Sequence, residues 1–90
     1  MKRIWKFPLK VADTVTIEMP EDSQVLTVQA QGETAQLWAL VMPDQPKEKR
    51  AFFVVGTGHN VPHTAGRYVG TFQLLRGAFI GHVFEKQKGA

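Results

Sequence analysis

The stretch TVTIEM (14–19) alternates without a break, with Val15, Ile17 and Met19 on one side and Thr14, Thr16 and Glu18 on the other. A period of two belongs to a strand with one buried face, because successive side chains of an extended chain point to opposite sides. VLTVQAQ (25–31) repeats the pattern with Leu26, Val28 and Ala30 against Thr27, Gln29 and Gln31. RYVGTFQLL (67–75) sets Tyr68, Phe72 and Leu74 against Thr71 and Gln73. Turn residues recur at short intervals. QGET (31–34) reads as a tight hairpin with Gly32 supplying the unusual backbone angle, MPEDS (19–23) and MPDQPKEK (42–49) read as turns, and Arg76-Gly77 turns the last hairpin. Strands every ten or so residues predict an all-β fold, a small antiparallel barrel or sandwich of six to seven strands. The expected strands lie near 2–8, 14–19, 25–31, 35–42, 50–57, 67–75 and 78–85, paired in sequential order. Pro8 places the first of them at a sheet edge. PEDSQ (20–24) is the best candidate for a single helical turn, with Pro20 at its start.

Two segments break the alternation. LWALVM (37–42) and AFFVV (51–55) are apolar on both sides, as strands covered on both faces are. Ninety residues make one domain, 1–90, with EKQKGA (85–90) a frayed tail. So small a chain cannot cover both faces of these two strands alone, which predicts a homo-oligomer, most simply a two-fold dimer.

The absence of cysteine excludes disulfides, thiolate metal sites and cysteine nucleophiles. No apolar run is long enough to span a bilayer, so no membrane partner is expected and the protein is read as cytoplasmic. The net charge of +3 is mild, and PKEKR (46–50) reads as a solvated loop.

GTGHNVPH (56–63) lies between two strand-like segments and concentrates polar and special-backbone residues. It lacks the Gly-Lys-Ser/Thr ending of a phosphate loop and the spaced glycines that open a helix in dinucleotide sites. What remains is a strand-end loop offering Thr57, Gly58, His59 and Arg67 as ligand-binding residues for a small anion. The competing reading is a bulge at Gly56 and Gly58 where a strand leaves the sheet. His59 and His63, with His82 as a third, lack cysteine and acidic partners for a metal, so no metal site and no cofactor is assigned. No catalytic residues stand out either: Ser23 is the only serine and has no elbow motif around it. RIWKF (3–7) has the aromatic and basic mixture of a single-strand nucleic-acid binder, although aromatics in a small β-protein are first of all core material.

KRIWKFPL, LWALV, GTGH followed by a proline, YVGTFQL and HVFE occur together in that order, about residues 2 to 85. The set resembles an uncharacterised family of small phage and prophage proteins, a domain of unknown function. The resemblance implies a virus-borne protein acting in a bacterial cytoplasm, and it gives weight to Gly56, Thr57, Gly58 and His59 over His63. Three functions follow as expectations. The first is a non-enzymatic binder that sequesters a small anionic or nucleotide ligand at a subunit boundary, as a counter-defence. The second is an interaction protein that inhibits a host enzyme or nucleoprotein. The third is a weak binder of single-stranded nucleic acid.

Overall fold

The computed structural model describes residues 1–89 and contains seven strands. They are β1 (Arg3–Leu9), β2 (Thr14–Pro20), β3 (Gln24–Gln31), β4 (Thr34–Val41), β5 (Lys47–Gly56), β6 (Ala65–Leu74) and β7 (Phe79–Lys86). They form two antiparallel sheets, a three-stranded one in the order β1-β4-β3 and a four-stranded one in the order β2-β5-β7-β6. The fold is therefore a sandwich rather than a closed barrel. Among the described residues, no helix is long and apolar enough to cross a membrane.

Sequential pairing is not what the chain adopts. Only β3–β4 and β6–β7 pair with their neighbours in sequence, while β1 pairs β4, β2 pairs β5 and β5 pairs β7. The chain changes sheets between β1 and β2, between β2 and β3, and between β4 and β5. These crossings set the apolar face of one sheet over that of the other, which a meander in one flat layer would leave exposed. β1 does lie at an edge, as Pro8 requires.

The core lies between the sheets. Leu37, Ala39 and Val41 of β4 and Val25 and Val28 of β3 meet Met19 of β2, Phe52 and Val54 of β5, Val83 of β7 and Phe72 of β6. Trp5 and Phe7 of β1 turn toward this core and pack against it, so the first strand's aromatics are core material. β3 departs from simple alternation. A bulge between Val25 and Thr27 sends both Val25 and Val28 inward and leaves Leu26 37% exposed, so Leu26, Val28 and Ala30 do not share a face. The inserted residue resets the phase of the strand.

The expected helical turn at Pro20–Gln24 is absent. Pro20 ends β2 opposite Lys47, and Asp22 takes the left-handed φ of 64°, which no right-handed helix continues. Ser23 closes the reversal by donating from Oγ to the Pro20 carbonyl. The one helical turn among the described residues is a short 3-10 turn at Leu75–Gly77, where Leu75, Arg76 and Gly77 all have positive φ and turn the β6–β7 hairpin.

PKEKR is not a loop. β5 begins at Lys47, and the Arg50 side chain, 12% exposed, reaches Glu85 of β7 and the turn at Ser23. Its Nε and Nη2 donate to the two carboxylate oxygens of Glu85 at 2.7 and 2.9 Å, and its Nη1 donates to the Ser23 carbonyl at 2.6 Å. The tail also begins later than its composition suggests. Glu85 and Lys86 belong to β7, and the Gln87 amide donates to the Thr64 carbonyl at 2.8 Å, while Ala90 lies outside the described residues.

The two doubly apolar runs differ. Phe53 and Val55 point outward from β5 yet are only 8% and 7% exposed in the single chain. On β4, the outward Trp38 and Leu40 stay half-buried. The cover over β5 comes from the chain itself.

Candidate binding groove under the β5–β6 strap

β5 and β6 both run antiparallel to β7, which lies between them, so they are parallel to each other. Residues 57–64 must therefore carry the chain back along the sheet. Gly56 stands opposite Gly81 and Ala65 opposite Lys86, a separation of about 20 Å once two strand widths are included. The connecting backbone reaches about 30 Å when fully extended. Two turns consume much of that difference. His59 N–H donates to the Gly56 carbonyl at 3.0 Å, and Ala65 N–H donates to the Pro62 carbonyl at 2.9 Å. The segment is a strap with little slack.

The first of these turns decides between the loop and the bulge at GTGH. Thr57 and Gly58 are its central residues, and Gly58 has φ of +87°, the conformation that the third residue of a type II turn requires. Gly58 is there for its backbone, and the glycines form a turn rather than a bulge. His59 folds back so closely that a Cβ on Gly56 would stand 3.2 Å from its Nδ1. Beyond it, Val61 faces Tyr68 and Phe84. Asn60 and Pro62 face the β1–β2 connection at Val11, Ala12 and Asp13.

Between the strap and the sheet lies a groove of about 220 Å³. Its walls are apolar at Val55, Val61, Tyr68 and Phe84, and polar at Thr57, His59 and His82. On the other side of His59 a larger cleft of about 460 Å³ is lined by Val11, Asp13, Val54, Asn60, Pro62 and Phe79. Asp13 is the one carboxylate in these two linings, and neither contains a lysine or arginine.

A hydrogen-bonded chain of four side chains runs along the outer face. Thr57 Oγ1 lies 2.8 Å from His82 Nε2, and His82 Nδ1 lies 2.9 Å from Thr71 Oγ1. Thr71 Oγ1 in turn bonds the Tyr68 hydroxyl. Three elements contribute: the start of the strap, β6 and β7. Thr71 and His82 are direct partners across the β6–β7 ladder, so the register of that hairpin brings them together. Tyr68, although 52% exposed, is tethered at its hydroxyl.

Of the residues singled out from the sequence, Thr57, Gly58 and His59 stand together at this groove. Arg67 does not join them. It points toward the other sheet and donates from Nη1 to the Val25 carbonyl at 2.7 Å, satisfying an acceptor next to the β3 bulge. His63 is not among the groove's lining residues, whereas His82 is. Tyr68, Thr71, His82 and Phe84 escape sequence reasoning because their convergence depends on strand register. The only hint in the sequence is that His82 and Phe84 share one side of the last strand.

No curated protein and no solved structure matches the chain. A match to the family described as Domain of unknown function (DUF7352) spans residues 1–90, and the chain belongs to that family.

Proposed function

We propose that the chain is a non-enzymatic binding protein that holds a small ligand between the strap and the outer face of β5, β7 and β6. The observation that carries this reading is the strap itself. It is anchored at both ends, yet it stands off the sheet over a groove with apolar walls and an ordered polar rim. Such a combination of apolar lining and a few fixed polar groups is characteristic of small-molecule sites. The expected preference for anions drew on Thr57, Gly58, His59 and Arg67, and of these Arg67, the permanent cation, is committed to Val25. With Asp13 as the only charged group lining either cleft, an uncharged ligand suits the site better. The resemblance to phage and prophage proteins supports a biological setting in which such a binder withdraws a small signal from a bacterial host as a counter-defence.

Val61 faces the groove from an exposed position on the strap, so Val61→Trp fills the space without disturbing the core. Screening a fragment panel by thermal shift is expected to find ligands that raise the melting temperature by several degrees near saturation. That shift disappears in Val61→Trp and persists in Arg67→Ala. A panel with no stabilising ligand, or a shift that survives Val61→Trp, refutes the proposal.

A second reading, that the chain also docks on a protein partner, is favoured by the outer face of the three-stranded sheet. Ile4 is 61% exposed there, beside half-buried Trp38 and Leu40 and the bulged Leu26. The partner we propose is a second copy of the chain. Sedimentation velocity is expected to give a dimer that Ile4→Lys dissociates. A monomer at high concentration removes this reading and leaves the groove unaffected.

A further inference from the structure

We infer that the ligand of this groove is an uncharged planar heteroaromatic ring system of one or two fused rings. This rests on the binding reading above and adds the chemical class. Size is the first argument. A dry cavity of about 150 Å³ accommodates benzene. The groove, at about 220 Å³, has room for a bicyclic ring, and because it opens to solvent a sugar or phosphate attached to that ring extends beyond its walls.

The walls select flatness. Tyr68 offers an exposed aromatic surface that two contacts hold in place: its hydroxyl bonds Thr71, and its ring meets Phe84 at a centroid distance of 5.4 Å. A tethered ring is a rigid stacking platform, so little conformational freedom is lost when a second ring lies against it. Val55 and Val61 supply the remaining apolar walls.

The rim selects a heteroatom. A neutral imidazole carries one donor and one acceptor, so the four-membered chain has two self-consistent proton orders. In one, Thr57 donates to His82 Nε2, His82 Nδ1–H donates to Thr71, and Thr71 donates to Tyr68. Thr57 then presents lone pairs to the groove. In the other, Tyr68 donates to Thr71, Thr71 to His82 Nδ1, and His82 Nε2–H to Thr57. Thr57 then turns its own proton toward the groove. Reversal breaks no hydrogen bond in the chain, so Thr57 meets either a ring acceptor or a ring donor. A ring nitrogen and its neighbouring N–H or exocyclic amine suit such a rim. A phosphate or carboxylate does not, because no lysine or arginine lines the groove.

The test compares adenine, adenosine monophosphate and indene, a bicyclic ring without heteroatoms, by calorimetry or NMR titration. The wild type, Thr57→Val and Tyr68→Leu are used, each first checked for an intact melting transition. Adenine is expected to bind more tightly than indene and at least as tightly as the monophosphate. Thr57→Val lowers adenine affinity about three- to tenfold, the effect of one hydrogen bond, and leaves indene unchanged. Tyr68→Leu weakens both rings. The inference is overturned if the monophosphate binds markedly tighter than adenine, if Thr57→Val leaves adenine unaffected, or if Tyr68→Leu leaves both rings bound as before. If no ring binds but a fragment of another shape is blocked by Val61→Trp, the ring class fails while the binding reading stands. If nothing binds in the groove, both fail.

Discussion

Replacing Arg50 with alanine is expected to destabilise the fold by about 1–3 kcal/mol, because it leaves a largely shielded carboxylate without its cation. The side chains of Arg50 and Glu85 are only 12% and 17% exposed. Both carboxylate oxygens are taken by the guanidinium, and its third contact reaches Ser23 in the turn that leads to the other sheet. The loss therefore falls on the link between the layers as well as on the ion pair. Urea denaturation of the wild type and Arg50→Ala measures the difference. A double variant, Arg50→Met with Glu85→Leu, is expected to recover most of the loss, since well-packed apolar residues often replace a buried pair at little cost. A loss below about 1 kcal/mol in Arg50→Ala would mean that the pair behaves like an exposed surface bridge.

The hydrogen bond to Glu85 raises the pKa of Arg50 above its already high ordinary value, against the opposing effect of burial. A raised pKa on a cation stabilises the fold fully below the unfolded value, and the contribution is lost as pH rises through the folded value. The arginine's own titration therefore leaves the difference between wild type and Arg50→Ala unchanged across the neutral range.

Gly81→Ala is the second substitution with a large expected effect. A Cβ at this position would stand 2.6 Å from Cζ and 2.8 Å from Cε1 of Phe72, with Val54 Cγ1 at 3.1 Å. Phe72 is buried and also meets Phe79 at a centroid distance of 6.0 Å, so it has little room to yield. Overpacking of this kind costs about 1–3 kcal/mol. Phe72→Leu shortens the obstructing side chain, so the double variant Gly81→Ala, Phe72→Leu should lose less stability than the two single losses added together. Strict additivity in a thermal-denaturation cycle would show that the two positions do not compete for the same space.

Most of the strand map follows from local pattern. The seven segments, the Gly32 hairpin and the Arg76-Gly77 turn are written in alternation and punctuation, both of which act over a few residues. The choice of sandwich over barrel and the pairing of β1 with β4 are not. They depend on which apolar faces can be brought together, and several strand orders satisfy the same alternation. Leu26 illustrates the limit most simply. Its place in the pattern matches that of Val28, yet one extra residue in β3 turns it to solvent, and nothing local announces that residue.

The candidate site divides in the same way. The sequence alone marked the segment after Gly56 as a strand-end loop carrying Thr57, Gly58 and His59, because glycine's backbone freedom is a local property, and it left open whether the glycines made a bulge. Only the tertiary structure decided that Arg67 would serve the Val25 carbonyl, and that His82, Thr71 and Tyr68 would stand in line with Thr57. Those partners are brought together by the register of β6 on β7 and by a strap drawn across the sheet. Both are set by long-range packing, which residues distant in the chain achieve jointly and no single stretch encodes.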